Sequence, residues 1–255
     1  MFKMFIESIH NDIIKLTVSL KEKKNRDELS LFVVEGFKQV SEIPKDWNIK
    51  FVLATEKYKD FKAEKLYITT EKIFKKISDT KTPQEILAVV EEKKSDIENI
   101  LSKKGLFVVI DTLQDPGNIG TIIRTAESFG CKGIFVSKNS VDIYSNKVVR
   151  SAMGAIFNIP IVQNCDIVSL INLMKQKKIN IYAFSLDTDN VMSDFKFKNN
   201  TAIIIGNESK GINKNILDIV DNKIKIDMAG KSQSLNASVA CSIAIYEISK
   251  QLNGK

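Results

Sequence analysis

Residues 106–130 read LFVVIDTLQDPGNIGTIIRTAESFG. The five apolar residues at its start, Leu106–Ile110, leave no polar face, the pattern of a strand covered on both sides of a sheet. Asp115, Pro116 and Gly117 cannot prolong it, because proline fixes φ and lacks a donor while glycine opens unusual backbone angles. A helix follows: Asn118 suits its N-cap, Ile119, Ile122, Ile123, Ala126 and Phe129 fall on one face, and Gly130 ends it. Thr121, Arg124, Thr125 and Ser128 then share the opposite face. A lone arginine among small hydroxyls, beside a strand-helix loop, suits a phosphate or carboxylate ligand, although a polar helix face is often only solvated.

The same order of strand, loop and helix recurs downstream. GCKGIFVS precedes a helix at 146–155, IPIV one at 167–177, and TAIIIGNE one at 213–220; NIYAFSL is a further strand, and KIKIDM, ending at Met228, leads into the long last helix. Buried strands alternating with helices predict an α/β fold whose mainly parallel sheet is covered on both faces. Upstream, a helix across 6–20, an exposed charged run at 21–28, strands at LFVVEG, KFVLA, KLYI and EILAVVE, and a helix at EKIFKKIS make a smaller α/β unit. The charged stretch EEKKSDIENILSKK reads as a linker helix or spacer. The expected division is 1–95, a linker at 96–104, and 105–255.

Composition narrows the chemistry. The chain has 255 residues, one histidine and three cysteines, and a net charge of +7. A single histidine, His10, excludes Ser-His-Asp and Cys-His catalysis and His-based metal sites, and the scattered cysteines form no metal or disulfide pattern. No metal is expected. The positive balance suits a polyanionic partner, or equally a lysine-rich solvated surface. With no run long enough to span a membrane and no secretory signal, the chain is expected to be cytoplasmic.

Two further junctions stand out at strand ends, where sheets of this kind bind ligands. In AIIIGNESKGI, Gly206 and Gly211 bracket Asn207, Glu208, Ser209 and Lys210; Glu208 is the first charge after a strand apolar enough to be buried. In MAGKSQSLNASVA, Ser234 or Asn236 can cap a helix whose first turns are nearly all small residues. Neither a dinucleotide fingerprint nor a P-loop occurs, which removes NAD enzymes and nucleoside triphosphatases. Gly117-Asn118-Ile119-Gly120 matches the GXXG of KH modules, but a strand precedes it where a KH loop joins two helices.

Together the three loops resemble the SpoU (TrmH) family of SPOUT RNA 2′-O-ribose methyltransferases. Asp115, Pro116, Asn118, Gly120, Arg124-Thr125-Ala126 and Phe129-Gly130 match its first motif, Gly206 to Glu208 with Gly211 its second, and Ser234-Leu235-Asn236, Ser238 and Ala240 its third. KVVRSAMGAIFNIPI is also similar to the family, and FVVEG and SDTKTPQEILAVVE are similar to an L30e-like substrate-binding domain. The chain departs from the pattern at Asp227, where proline is usual, at Gln233, where an acid is common, and at Glu85, where glycine is usual.

The resemblance implies a SPOUT fold with a parallel sheet and a deep trefoil knot, S-adenosylmethionine as cofactor, and a homodimer. It implies catalytic roles for Asn118, Arg124, Glu208, Ser234 and Asn236, and cofactor contacts at Ser185, Leu186, Gly206, Ile226, Met228 and Leu235. A guanidinium has no acceptor and stays protonated, so Arg124 is expected to hold a phosphate and stabilise the developing alkoxide, the proton passing to a phosphate oxygen or to Glu208. The expected substrate is RNA, 23S ribosomal RNA first and tRNA second; a non-catalytic RNA-binding or ribosome-associated homologue is the rival reading.

Overall fold

The structure, a computed structural model, describes residues 2–254. They form two compact units, one holding the residues up to Lys93 together with Tyr144–Phe157, the other Lys94–Ile143 and the residues from Asn158 onward. Among the described residues no helix is long and apolar enough to cross a membrane.

The first unit contains β1 (Phe2–Ile6), α1 (Asp12–Ser19), α2 (Lys23–Leu29), β2 (Leu31–Glu35), α3 (Phe37–Ser41), β3 (Ile49–Ala54), β4 (Lys65–Thr69), α4 (Glu71–Ile77) and β5 (Ile86–Glu91). Its sheet runs β1-β4-β3-β5-β2, with β5 antiparallel to β2 and β3 and the other neighbours parallel. Ile14 and Leu20 pack with Phe74 against Leu53 and Leu87 of the sheet.

Two expectations change in this unit. The helix expected across 6–20 begins only at Asp12, where the Asn11 side chain accepts from the Ile13 N–H, and Phe2–Ile6 instead pair with β4 as an edge strand. So short an apolar run cannot by itself separate strand from helix. The charged run at 21–28 is largely helical, and Arg26 within it is only 4% exposed. Its Nη1 donates to the carbonyls of Leu20 (2.6 Å) and Lys21 (2.8 Å), groups that the end of α1 leaves without helical partners.

The remaining elements are α5 (Ile97–Leu101), β6 (Leu106–Ile110), α6 (Pro116–Ser128), β7 (Gly133–Ser137), α7 (Asn146–Ala152), β8 (Ile161–Cys165), α8 (Ile167–Gln176), β9 (Asn180–Phe184), β10 (Thr201–Ile205), α9 (Lys214–Leu217), β11 (Asn222–Ile224) and α10 (Ala237–Asn253). All strands of the second sheet are parallel, in the order β11-β9-β10-β6-β7-β8. Phe107, Val109, Ala202 and Ile204 join Ile100, Leu101 and α8 in one core cluster. The intervening Val108, Ile110, Ile203 and Ile205 are buried too, so both faces of the sheet are covered as strands without a polar face require.

Here the last strand stops at Ile224, with a single bridge at Lys225, rather than at Met228. The helix expected at 146–155 ends at Ala152, where Met153 and Gly154 take φ of +52° and +85°, and a 3-10 turn follows at Ala155–Phe157.

Tyr144–Phe157, with α7 at its centre, folds as part of the first unit. Phe32 of β2 lies 4.5 Å from Tyr144 and 6.3 Å from Phe157 between ring centroids, and Trp47 meets Phe157 edge-on at 5.1 Å. The Trp47 indole N–H donates to the Phe157 carbonyl at 3.1 Å, satisfying a buried donor. Asn146 also hydrogen-bonds Asp79, and Gln39 the Arg150 carbonyl.

Candidate active site

β9, β10 and β6 are neighbours in the second sheet, and β11 flanks β9. The loops singled out from the sequence leave the carboxyl ends of these strands. Just beyond β6, the Asp111 side chain is buried and accepts the Asn213 N–H (2.9 Å) and side-chain amide (2.9 and 3.1 Å). Burial raises its pKa, and the Asn213 hydrogen bonds only partly offset this. The contact ties the loop after β10 to the end of β6. A second tie runs from Asn207 Nδ2 to the Thr112 carbonyl at 2.8 Å.

α6 starts earlier than expected. Asp115, not Asn118, is its N-cap, accepting the Asn118 N–H at 2.7 Å, and Pro116 takes the first helical position. Asn118 therefore lies inside the first turn, buried, with its side chain free to bridge. Nδ2 donates to Glu208 Oε1 at 3.0 Å, and Oδ1 accepts from Ser238 Oγ at 3.1 Å. Ser238 Oγ is also 2.7 Å from Asn236 Oδ1, so one hydroxyl proton serves two amide oxygens. That same Asn236 oxygen caps α10 through the N–H groups of Ser238 (2.9 Å) and Val239 (3.3 Å), which decides between the two cap candidates.

Glu208 accepts two backbone bonds as well, from Asp115 N–H at 3.2 Å and Gln114 N–H at 3.4 Å. Burial pushes its pKa up, but the Asn118 amide, its own N–H and those of Asp115 and Gln114 together hold it below the usual carboxylate range. It is ionised throughout the neutral range, committed to the shape of the β6-α6 loop.

Gly206 is buried where only a hydrogen fits, since a Cβ would lie 2.3 Å from the backbone of Gly211 and Ile212. Asn207 and Gly211 exchange backbone hydrogen bonds there, and Asn207 Oδ1 accepts from the N–H groups of Ser209 and Lys210. At the end of β9 the Ser185 N–H donates to the Ile224 carbonyl at 3.0 Å, joining that loop to β11. Ile226 and Met228 are half-buried, whereas Leu186 is 64% and Leu235 37% exposed.

The hydrogen bonds thus bring together Asn118, Glu208 and Asn236, and with them Ser238, a motif residue to which the sequence assigned no role. They do not reach the side chains of Arg124 or Ser234, which are exposed and make no hydrogen bond or ion pair among the described residues. Thr125, on the polar face read as either ligand-binding or solvated, is half-buried and hydrogen-bonds Ser242 of α10 at 3.1 Å. Phe129, placed on the apolar face by its spacing, is 40% exposed and meets Tyr246 of α10 edge-on at 5.7 Å.

The family model described as SpoU rRNA Methylase family matches residues 105–246, and one described as MRM3-like substrate binding domain matches 11–88. A Bacillus subtilis protein named 23S rRNA (guanosine(2553)-2′-O)-methyltransferase RlmP is 31% identical over 95% of this chain and 98% of its own. A Streptomyces viridochromogenes protein named 23S rRNA (uridine(2479)-2′-O)-methyltransferase is 28% identical over 91% of this chain and 87% of its own. Among solved structures, an AdoMet-bound rRNA methyltransferase from Sinorhizobium meliloti superposes with a TM-score of 0.86 at 26% identity, covering 98% of both chains. With three loops interlocked at the carboxyl edge of a parallel sheet and both matches running through them, the chain belongs to the SpoU rRNA Methylase family.

Proposed function

We propose that the protein transfers a methyl group from S-adenosylmethionine to a ribose 2′-hydroxyl of 23S ribosomal RNA. The observation that carries this reading is the hydrogen-bonded series Glu208, Asn118, Ser238, Asn236, which joins three loops and leaves the Arg124 guanidinium uncommitted on α6. The 23S choice is supported by the two relatives whose names give that substrate, since both match along nearly the whole chain. A cytoplasmic location belongs to the same reading.

The residues present fit the cofactor. Leu186 and Leu235 hold apolar side chains in solvent on loops that otherwise expose backbone and polar groups, as the lining of a site for a flat, partly apolar ligand does. Ser185, Leu186, Gly206, Ile226, Met228 and Leu235 would hold S-adenosylmethionine, which supplies a sulfonium-bound methyl group. Arg124 binds a phosphate of the target nucleotide and stabilises negative charge as it develops on the ribose oxygen. Glu208, already accepting three hydrogen bonds with its pKa lowered, acts by positioning Asn118, so the hydroxyl proton passes to the nucleotide's phosphate. Ser234 adds an exposed hydroxyl beside the Asn236 cap.

Residues 1–95 are the substrate-binding domain in this reading, with a linker at 96–104, and 105–255 are the catalytic domain. A homodimer is supported by Phe129, Val239, Ile243 and Tyr246, apolar residues exposed on the paired helices α6 and α10. The trefoil knot belongs to the same reading and is supported by the family match over residues 105–246.

The test is transfer of labelled methyl groups to RNA from a strain lacking the protein, followed by mapping of the modified ribose. Arg124→Lys keeps the charge but not the planar fork and is expected to lower turnover about 100-fold with cofactor affinity retained. Label in tRNA alone would replace the substrate, and no label in any RNA would refute the enzymatic reading.

A further inference from the structure

An aromatic patch in the first unit takes no part in the site described above. Phe37 opens α3 and is 47% exposed, while Val34 and Val40 on either side are buried. Its ring stacks on Tyr58, with centroids 5.4 Å apart and planes 15° apart, and Phe61 meets it edge-on at 6.2 Å. Lys57 Nζ lies 5.3 Å from the centroid of Tyr58, and Lys38 and Lys62 are exposed in the same two segments; Asp60 is exposed there too, and Glu56 pairs with Lys59 at 3.9 Å. The turn that presents Phe37 also borders a small pocket lined by Val33 and Val149 as well as Glu35, Gln39, Gln84 and Arg150.

We propose that Phe37 and Tyr58 form a stacking platform for an unpaired base of the RNA substrate, a proposal that rests on the RNA reading above. A parallel pair of rings held by an edge-on third is oriented before any ligand arrives, and an exposed ring can accept one more flat partner. Stacking tolerates any base, and Lys38, Lys57 and Lys62 supply contacts for the flanking phosphates. Gln39, Gln84 and Arg150 in the adjoining pocket offer donors and acceptors to a base edge. Duplex RNA does not fit this description, because its bases are already stacked on one another.

The test uses the full-length protein and a 2-aminopurine-labelled single-stranded RNA of about twelve nucleotides, a length within the usual single-strand site sizes. Binding to the wild type is expected to change the fluorescence. Phe37→Ala should weaken binding about 5- to 100-fold, Phe37→Trp should retain it, and both should keep wild-type thermal stability and cofactor affinity. The same sequence as a duplex should bind both variants and the wild type equally. Equal single-strand binding by Phe37→Ala and wild type, or no binding by the wild type, would overturn the platform. So would a Phe37→Ala change confined to self-association, which would mark the patch as a contact between copies. Ribosomal RNA methylation by the wild type, run alongside, distinguishes failure of the platform from failure of the functional reading.

Discussion

Ser238 faces two amide oxygens with one hydroxyl proton, and the register of α10 against α6 passes through that choice. Ser238→Ala should leave Asn118 Oδ1 without a donor while the α10 cap survives. A stability loss of about 1–2 kcal/mol and a fall in turnover of about tenfold or more are expected, measured by thermal unfolding and single-turnover kinetics. Its motif position was legible; its role was not, because the sequence offered Asn118 as a cap, and a capping side chain could not also bridge to Glu208. Glu85 shows the opposite case. Its departure from glycine was visible in the sequence, and the structure gives it φ of +64°. Its carboxylate accepts from Thr55 Oγ1 at 3.1 Å, a half-exposed bond that recovers only part of the strain. Glu85→Gly should therefore raise stability by up to about 1 kcal/mol, readable as a higher denaturant midpoint with unchanged m.

The central strands β6, β7 and β10 were legible because five consecutive buried residues leave little ambiguity. Among the edge strands, β2 and β8 were read as well, whereas β1 was missed and β11 was given too late an end. β1 is exposed over its first four residues and β11 has only three, so neither carries the pattern of a covered strand. α6 and α10 lie between these extremes: spacing found the buried stripe of α6 but could not show that Thr125 and Phe129 turn toward α10. Val239, Ile243 and Tyr246, spaced four and three apart, present an apolar stripe along α10, and Tyr246 is 53% exposed. A stripe of that kind on a helix otherwise packed against its own sheet suits a like surface on a second copy. If the proposed homodimer uses this face, Ile243→Glu combined with Tyr246→Glu should yield a monomer in sedimentation without loss of helicity. A wild type that already sediments as a monomer would remove that reading of the face.

At the scale of the molecule, the alternation of strands and helices made the parallel sheet legible, but nothing local could show that Tyr144–Phe157 packs with the first unit. That packing depends on where Phe32 and Trp47, more than ninety residues upstream, present their rings. A fragment of residues 1–93 alone should expose those rings and lose cooperative unfolding. Joining residues 144–157 to it through a flexible linker should restore a single transition, followed by tryptophan fluorescence at Trp47. An unaltered transition in the short fragment would show that the segment adds nothing to its stability. During synthesis this arrangement imposes an order of events: Phe32 and Trp47 cannot be covered by their aromatic partners until residue 157 has left the ribosome, by which time β6 and β7 have already emerged. A pause in translation before residue 157 would leave those two rings open to solvent with the second sheet only half made.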